Sequence, residues 1–139
     1  MRLAFISDLH LCPQSESRNQ TFSNLMSQWK KELDGLYILG DFFDFWCGDD
    51  DDNDFIRKIK HIFHDFTQAV PIYFIRGNHD FALGTEFAKA TGITLIKDMS
   101  ILKLPNTTVL LSHGDAFCSL DLAYQRTKLI LQNPVTLFI

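Results

Sequence analysis

The sequence predicts an α/β domain. Two observations carry this. Short apolar runs bounded by Gly, Pro or Asn alternate with longer stretches whose apolar residues recur at helical spacing. Four of the short runs are followed at once by a cluster of Asp, His or Asn: Asp8-Leu9-His10, Gly40-Asp41, Gly77-Asn78-His79-Asp80 and Ser112-His113-Gly114-Asp115. In open α/β sheets ligands bind beyond the carboxyl ends of strands, so these clusters are expected to meet on one rim.

The elements follow in order. Residues 3–6 read as the first buried strand, and 36–39, 72–75 and 109–111 as three more, rich in Ile, Leu, Phe, Tyr and Val. Over 14–33, Phe22, Leu25, Met26, Trp29 and Leu33 share a helical face. Over 54–66, Phe55, Ile56, Ile59, Ile62, Phe63 and Phe66 do the same. A shorter helix spans 85–90 and is stopped by Gly92. Strand-like stretches lie at 94–96 and 101–104. Residues 121–132 look helical, and Pro134 interrupts them.

A chain of 139 residues fits one domain, here 1–139. Its 46% hydrophobic content, with 13 Phe, can build a core and argues against disorder. The net charge of -4 and the lack of a basic stripe speak against a nucleic-acid partner. No protein partner is expected. Cys12, Cys47 and Cys118 form no CxxC pair, so neither a disulfide framework nor a zinc knuckle is expected and a reducing cytosol is. Strand-like sequence reaches Asp8 too soon for a signal peptide, and no segment is long enough to span a bilayer.

Each cluster has a plain reading beside the chemical one. Asp8 and His10, two apart in extended chain, point to the same side, but they also fit an Asx turn beside a surface His. In Gly40-Asp41-Phe42-Phe43-Asp44-Phe45-Trp46, two carboxylates sit among four large aromatics. Buried carboxylates need a cation or several donors, so Asp41 suits a bridge between two metals and Asp44 a supporting hydrogen bond. Gly77-Asn78 is turn-prone, yet the Asn78 side-chain oxygen is a neutral hard ligand. His79 could donate a proton to a leaving oxygen, held by Asp80, and Arg76 could meet phosphate. A lone His113 would usually be a turn histidine, but in this set of clusters it suits metal ligation. Asp115 suits a cap or a support. Carboxylate, imidazole and amide oxygen are donors that Mn²⁺ or Mg²⁺ accept. The run from Asp49 to Asp54 lacks the EF-hand pattern and is explained by helix capping. His61 and His64 lie on a charged helix face and read as solvated surface.

Ile6-Ser7-Asp8-Leu9-His10-Leu11, the 40–46 stretch, Gly77-Asn78-His79-Asp80 and Ser112-His113-Gly114-Asp115 together resemble the calcineurin-like metallophosphoesterases. Residues 36–46 and 113–118, followed by Asp121 and Ala123-Tyr124-Gln125-Arg126, are more narrowly similar to the pyrophosphatase family of lipid A biosynthesis that acts on UDP-2,3-diacylglucosamine. The resemblance implies a β-sandwich flanked by helices (α/β/β/α), here with its C-terminal part missing. It implies hydrolysis to UMP and 2,3-diacylglucosamine 1-phosphate, two divalent ions (Mn²⁺), and a peripheral place on the cytoplasmic face of the inner membrane. Asp8, His10 and Asp41 would hold one ion; Asp41, Asn78 and His113 the other. Asp121 and Tyr124 would contact the substrate headgroup, and 121–139 would begin a helical lid. The pyrophosphatases carry Arg where this chain has His79, whereas His79 matches the wider superfamily, where it looks like a general acid. The family also has a later G-H-x-H segment that supplies further ligands, which is not in these 139 residues. Two other readings follow: a phosphoesterase acting on a nucleotide or simple phosphodiester, or an inactive fragment lacking the last ligands.

Overall fold

The computed structural model describes residues 1–117. Four runs pair in parallel and in chain order: β1 (Leu3–Ile6), β2 (Gly35–Leu39), β3 (Ile72–Ile75) and β4 (Thr94–Leu95). In the register, Phe5 stands beside Tyr37 and Tyr37 beside Tyr73. Side chains alternate across the sheet. Leu36, Ile38, Ile72 and Phe74 pack on the helices; Tyr37 and Ile75 pack on the opposite face.

Parallel neighbours require crossover connections, and helices supply them. These are α1 (Glu16–Trp29), α2 (Asp54–Thr67) and α3 (Thr85–Thr91). Phe22 and Met26 of α1, four residues of α2 (Ile56, Ile59, Phe63, Phe66) and Phe87 of α3 join one apolar core. Helix α1 is shorter than its apolar spacing suggests, because residues 30–33 continue as turns on the carbonyls of Met26, Gln28 and Trp29. Helix α2 starts where Asn53 Oδ1 accepts the Ile56 N–H at 3.0 Å. Helix α3 ends at Gly92, whose left-handed φ of 75° suits a residue without a Cβ.

The second sheet is an antiparallel hairpin, β5 (Ser100–Leu104) and β6 (Thr107–Leu111). Leu102, Val109 and Leu111 face the parallel sheet around Tyr37 and Ile75. Two sheets thus pack face to face, with helices outside the first, as the α/β/β/α expectation requires of its first three layers. The helix and lid expected over 121–139 lie outside the described residues.

Candidate metal centre

Strand ends put the polar clusters on one rim, and backbone hydrogen bonds fasten the loops together. Asp8 N–H donates to the Gly40 carbonyl (3.1 Å), His10 N–H to that of Asp41 (3.1 Å), and Leu11 N–H to that of Phe42 (2.9 Å). Three of the four aromatics that follow Asp41 anchor this loop. Phe42, Phe43 and Trp46 are buried, and Phe43 lies 4.5 Å from Trp46 between ring centroids. Phe45 is 73% exposed.

The buried carboxylate of Asp80 joins the loops after β2 and β3. Its oxygens accept N–H groups from Gly77 (2.7 Å), Phe42 (2.7 Å) and Asp41 (3.3 Å). Burial pushes its pKa up, the N–H groups of Gly77 and Phe42 pull it down, and neighbouring Asp41 pushes it up again. Its oxygens are therefore committed to the backbone. His79 is held elsewhere: its Nδ1 lies 2.5 Å from the Asp44 carbonyl. The support that sequence reasoning assigned to Asp80 thus comes from a main-chain oxygen.

The approach of the two loops leaves no room for side chains at their glycines. A Cβ on Gly77 would stand 2.1 Å from Asp41 Oδ1, and one on Gly40 2.6 Å from His113 Nδ1. Beside them, Asp8 (φ 56°), His10 (φ 46°) and Asp41 (φ 52°) hold left-handed backbone conformations. Such conformations in residues with a Cβ cost of order 1 kcal/mol or more each and cluster where function demands them.

The side chains of this rim converge as acceptors. His113 Nδ1 faces the Leu39 carbonyl at 2.8 Å, so Nδ1 carries the proton. In the neutral ring Nε2 is then a lone pair, and it lies 3.2 Å from Asn78 Oδ1 and 3.6 Å from Asp41 Oδ2. Three acceptor atoms meet here, two on the largely buried side chains of Asp41 and His113 and the third on exposed Asn78, an arrangement that suits a cation reached from solvent. Asp41 Oδ2 also lies 3.9 Å from His10 Nε2, and Asp41 Oδ1 accepts the His79 N–H at 2.9 Å. Ligand atoms of His10, Asp41 and His79 all fall within 4.8 Å of one another. The donor set fits a hard divalent ion, with Asp41 placed between His10 on one side and Asn78 with His113 on the other.

The other expected residues sit as follows. Asp8 reaches the rim through its backbone, and its side chain is exposed. Asp44 Oδ1 is 3.7 Å from His10 Nδ1, an ion-pair separation rather than a hydrogen bond. The Arg76 guanidinium donates to the Leu83 carbonyl, and its surroundings pull its pKa down while Asp49 and Asp80 oppose this. Asp115 opens a short 3-10 turn, Asp115–Phe117. Asp121 and Tyr124 lie outside the described residues.

Two supporting carboxylates escape sequence reasoning. Asp98 Oδ1 accepts the His113 N–H at 3.0 Å. Asp49 accepts N–H groups from Gly84 (2.8 Å) and Phe87 (2.9 Å), capping α3 across 35 residues, and stands 3.3 Å from Trp46 Nε1. The only local hint is that Gly84, at the α3 N-cap, has no side chain with which to cap its own helix.

Two packed sheets whose strand ends gather His, Asp and Asn, from three loops of the parallel sheet and one that follows the hairpin, are the framework of a metal-dependent phosphoesterase. The chain belongs to the calcineurin-like phosphoesterase family, whose model matches residues 1–134. It is 44% identical to the UDP-2,3-diacylglucosamine hydrolase of Aeromonas salmonicida, over 95% of this chain and 52% of that protein. It is 42% identical to the protein of that name from Vibrio parahaemolyticus and 40% identical to that of Chromobacterium violaceum, each over 96% of this chain and 56% of the relative. The chain thus spans about half the length of the curated relatives it matches. Among solved structures, a protein of unknown function from Aquifex aeolicus has a TM-score of 0.51 at 26% identity, covering 79% of this chain and 59% of that one. A Pseudomonas putida nuclease has a TM-score of 0.50 at 19% identity over 72% of this chain and 49% of the nuclease, which speaks for the fold alone.

Proposed function

We propose that this chain carries the metal-binding half of a hydrolase that cleaves the pyrophosphate of UDP-2,3-diacylglucosamine to UMP and 2,3-diacylglucosamine 1-phosphate. The observation that carries this is the meeting of His113 Nε2, Asn78 Oδ1 and Asp41 Oδ2, an acceptor set with no proton to share once His113 Nδ1 faces Leu39. The relatives' names supply the substrate.

His10, Asp41, Asn78 and His113 would hold two Mn²⁺ ions together with Asp8, Asp41 lying between them. When bound, such ions supply Lewis acidity toward phosphoryl oxygens and neutralise the charge that builds there. The chain's own groups do the rest. His79 donates its Nδ1–H to the Asp44 carbonyl, and in its imidazolium form it would give the second proton, on Nε2, to a leaving oxygen. Asp80 holds the two loops in register. Asp44 and Asp115 support neighbouring groups, and Arg76, Asp121 and Tyr124 would meet the substrate. Phe45 and Phe117, 73% and 63% exposed, offer apolar contact beside the rim to a diacylated substrate. Among the described residues no helix is long and apolar enough to cross a membrane. A peripheral place on the cytoplasmic face of the inner membrane fits a lipid-linked nucleotide.

His79 favours a second reading, a phosphoesterase acting on a nucleotide or simple phosphodiester, because it puts a proton donor where the pyrophosphatase resemblance implies Arg. One experiment separates the two. Release of UMP from UDP-2,3-diacylglucosamine is compared with cleavage of bis-p-nitrophenyl phosphate, both with Mn²⁺, in wild type and Asp41→Ala. Preference for the lipid nucleotide, lost in the variant, supports the first reading; preference for the small diester replaces it with the second.

A further inference from the structure

Of the ligands proposed above, only His113 follows the hairpin; the others follow strands of the parallel sheet. The distance from His113 to Asn78 and Asp41 therefore depends on how the two sheets are fastened together at this end. The hairpin ladder ends with Ser100 opposite Leu111, and the same register continued by two residues would set Asp98 opposite His113. The ladder stops short of that pair. Met99 takes a left-handed φ of 60°, which residues with a Cβ seldom adopt, and its side chain is 45% exposed, so burial of that side chain does not account for it. The Ser100 hydroxyl closes the turn on the Lys97 carbonyl at 2.6 Å. In place of a ladder bond, the His113 N–H donates to the Asp98 side chain, at Oδ1.

This turn is tied to the parallel sheet as well as to the hairpin. The Ile96 N–H, just past β4, donates to the Phe74 carbonyl of β3 at 2.9 Å. Asp98 thus grips the main chain of His113 from the β4 side, while the Leu39 carbonyl at the end of β2 holds its ring at Nδ1. Both grips are anchored in the sheet that carries Asp41 and Asn78. We propose that Asp98 is a positioning residue for the divalent ion: by holding the His113 N–H it fixes where His113 Nε2 stands against Asn78 Oδ1 and Asp41 Oδ2. A carboxylate accepts an N–H roughly twice as strongly as a neutral oxygen does. Groups that orient a metal ligand without touching the ion still set its affinity. This inference rests on the metal centre described above, not on the substrate assigned to it.

The test compares wild type, Asp98→Ala and Asp98→Asn in three measurements on the 139-residue protein: calorimetric titration with MnCl₂, urea titration without metal, and ring-nitrogen NMR of His113. Asp98 makes one hydrogen bond from a partly exposed turn, so both variants are expected to fold. Asp98→Ala should bind Mn²⁺ roughly tenfold or more weakly, and its His113 ring should lose the single Nδ1–H tautomer. Asp98→Asn keeps an oxygen acceptor and should retain more of the affinity and the tautomer. Unchanged Mn²⁺ affinity in Asp98→Ala, with or without a lower urea midpoint, overturns the proposal and leaves Asp98 a structural residue. Equal weakening in the two variants also overturns it, because charge rather than the hold on the N–H would then set the affinity. Wild type without saturable binding removes the metal centre and the proposal with it, whereas wild-type binding beside an unchanged Asp98→Ala removes the proposal alone.

Discussion

His113 Nε2 lies 3.2 Å from Asn78 Oδ1, and with His113 Nδ1 turned to the Leu39 carbonyl neither atom has a proton to offer the other in the neutral ring. Asp41 Oδ2, at 3.6 Å, adds a formal negative charge to the same place. Without a cation this arrangement costs stability; with one it is satisfied.

Replacing Asn78 should therefore separate stability from binding. Asn78→Ala removes one of the crowded acceptors, so the metal-free protein should melt at or above the wild-type temperature. Its gain in melting temperature on adding Mn²⁺ should shrink or vanish. Differential scanning fluorimetry with and without MnCl₂ checks both halves.

The glycines between the loops make a sharper steric prediction. In Gly77→Ala the new methyl meets Asp41 Oδ1 and the Asp41 backbone nitrogen, and backbone cannot yield as a flexible side chain would. A loss of about 2–3 kcal/mol is expected, together with weakened metal binding. Gly114→Ala is the control. Its φ of 99° makes Ala uncomfortable, but nothing lies within 4 Å of the added atom, so only about 1–2 kcal/mol should be lost. Urea titrations of the two variants give the comparison.

Asp80 and Asp49 should prove structural. Asp80→Ala strands the N–H groups of Gly77 and Phe42 in the interior, a loss of about 3 kcal/mol or more. Asp49→Ala uncaps α3 and should cost about 1–2 kcal/mol. Asp50→Ala, one residue on, should stay within about 0.5 kcal/mol of wild type. Chemical denaturation of the three variants would contradict this account if Asp50→Ala were the most damaging.

Acid should expose one surface ion pair. Lys30 Nζ lies 2.7 Å from Asp65 Oδ1 and holds that carboxyl below its ordinary pKa. A depressed carboxylate stabilises the fold above its unfolded-state pKa and loses that contribution as pH falls through its folded-state pKa. Wild type should therefore melt slightly above Asp65→Asn at neutral pH, and the two should converge in strong acid. High salt at neutral pH should narrow the gap as well, because both partners are solvent-accessible. Thermal melts across pH and ionic strength read this directly.

How much of this was legible in the sequence follows from how local each signal is. The strands at 3–6 and 72–75 stand where their apolar runs put them, although only the second is a largely buried strand; the first, on the edge of the sheet, leaves Phe5 exposed. Gly92 stops α3 as read, since a left-handed C-cap is a property of one residue. The gathering of His10, Asp41, Asn78 and His113 also follows from sequence, because each trails a strand of one fold. The roles of Asp80, Asp49 and Asp98 do not. Each is a carboxylate matched to backbone N–H groups, mostly 15 to 39 residues away, and backbone donors leave no mark in sequence. The support of His79 by a carbonyl, rather than by Asp80, was invisible for the same reason.

The most direct test of the metal centre is a calorimetric titration of the 139-residue protein with MnCl₂, run beside His113→Ala and Asp41→Ala. Saturable binding in wild type, lost or weakened at least roughly tenfold in both variants, is the predicted result. No saturable binding, or binding that both variants retain, would contradict the claim that His113, Asn78 and Asp41 converge to hold a divalent ion.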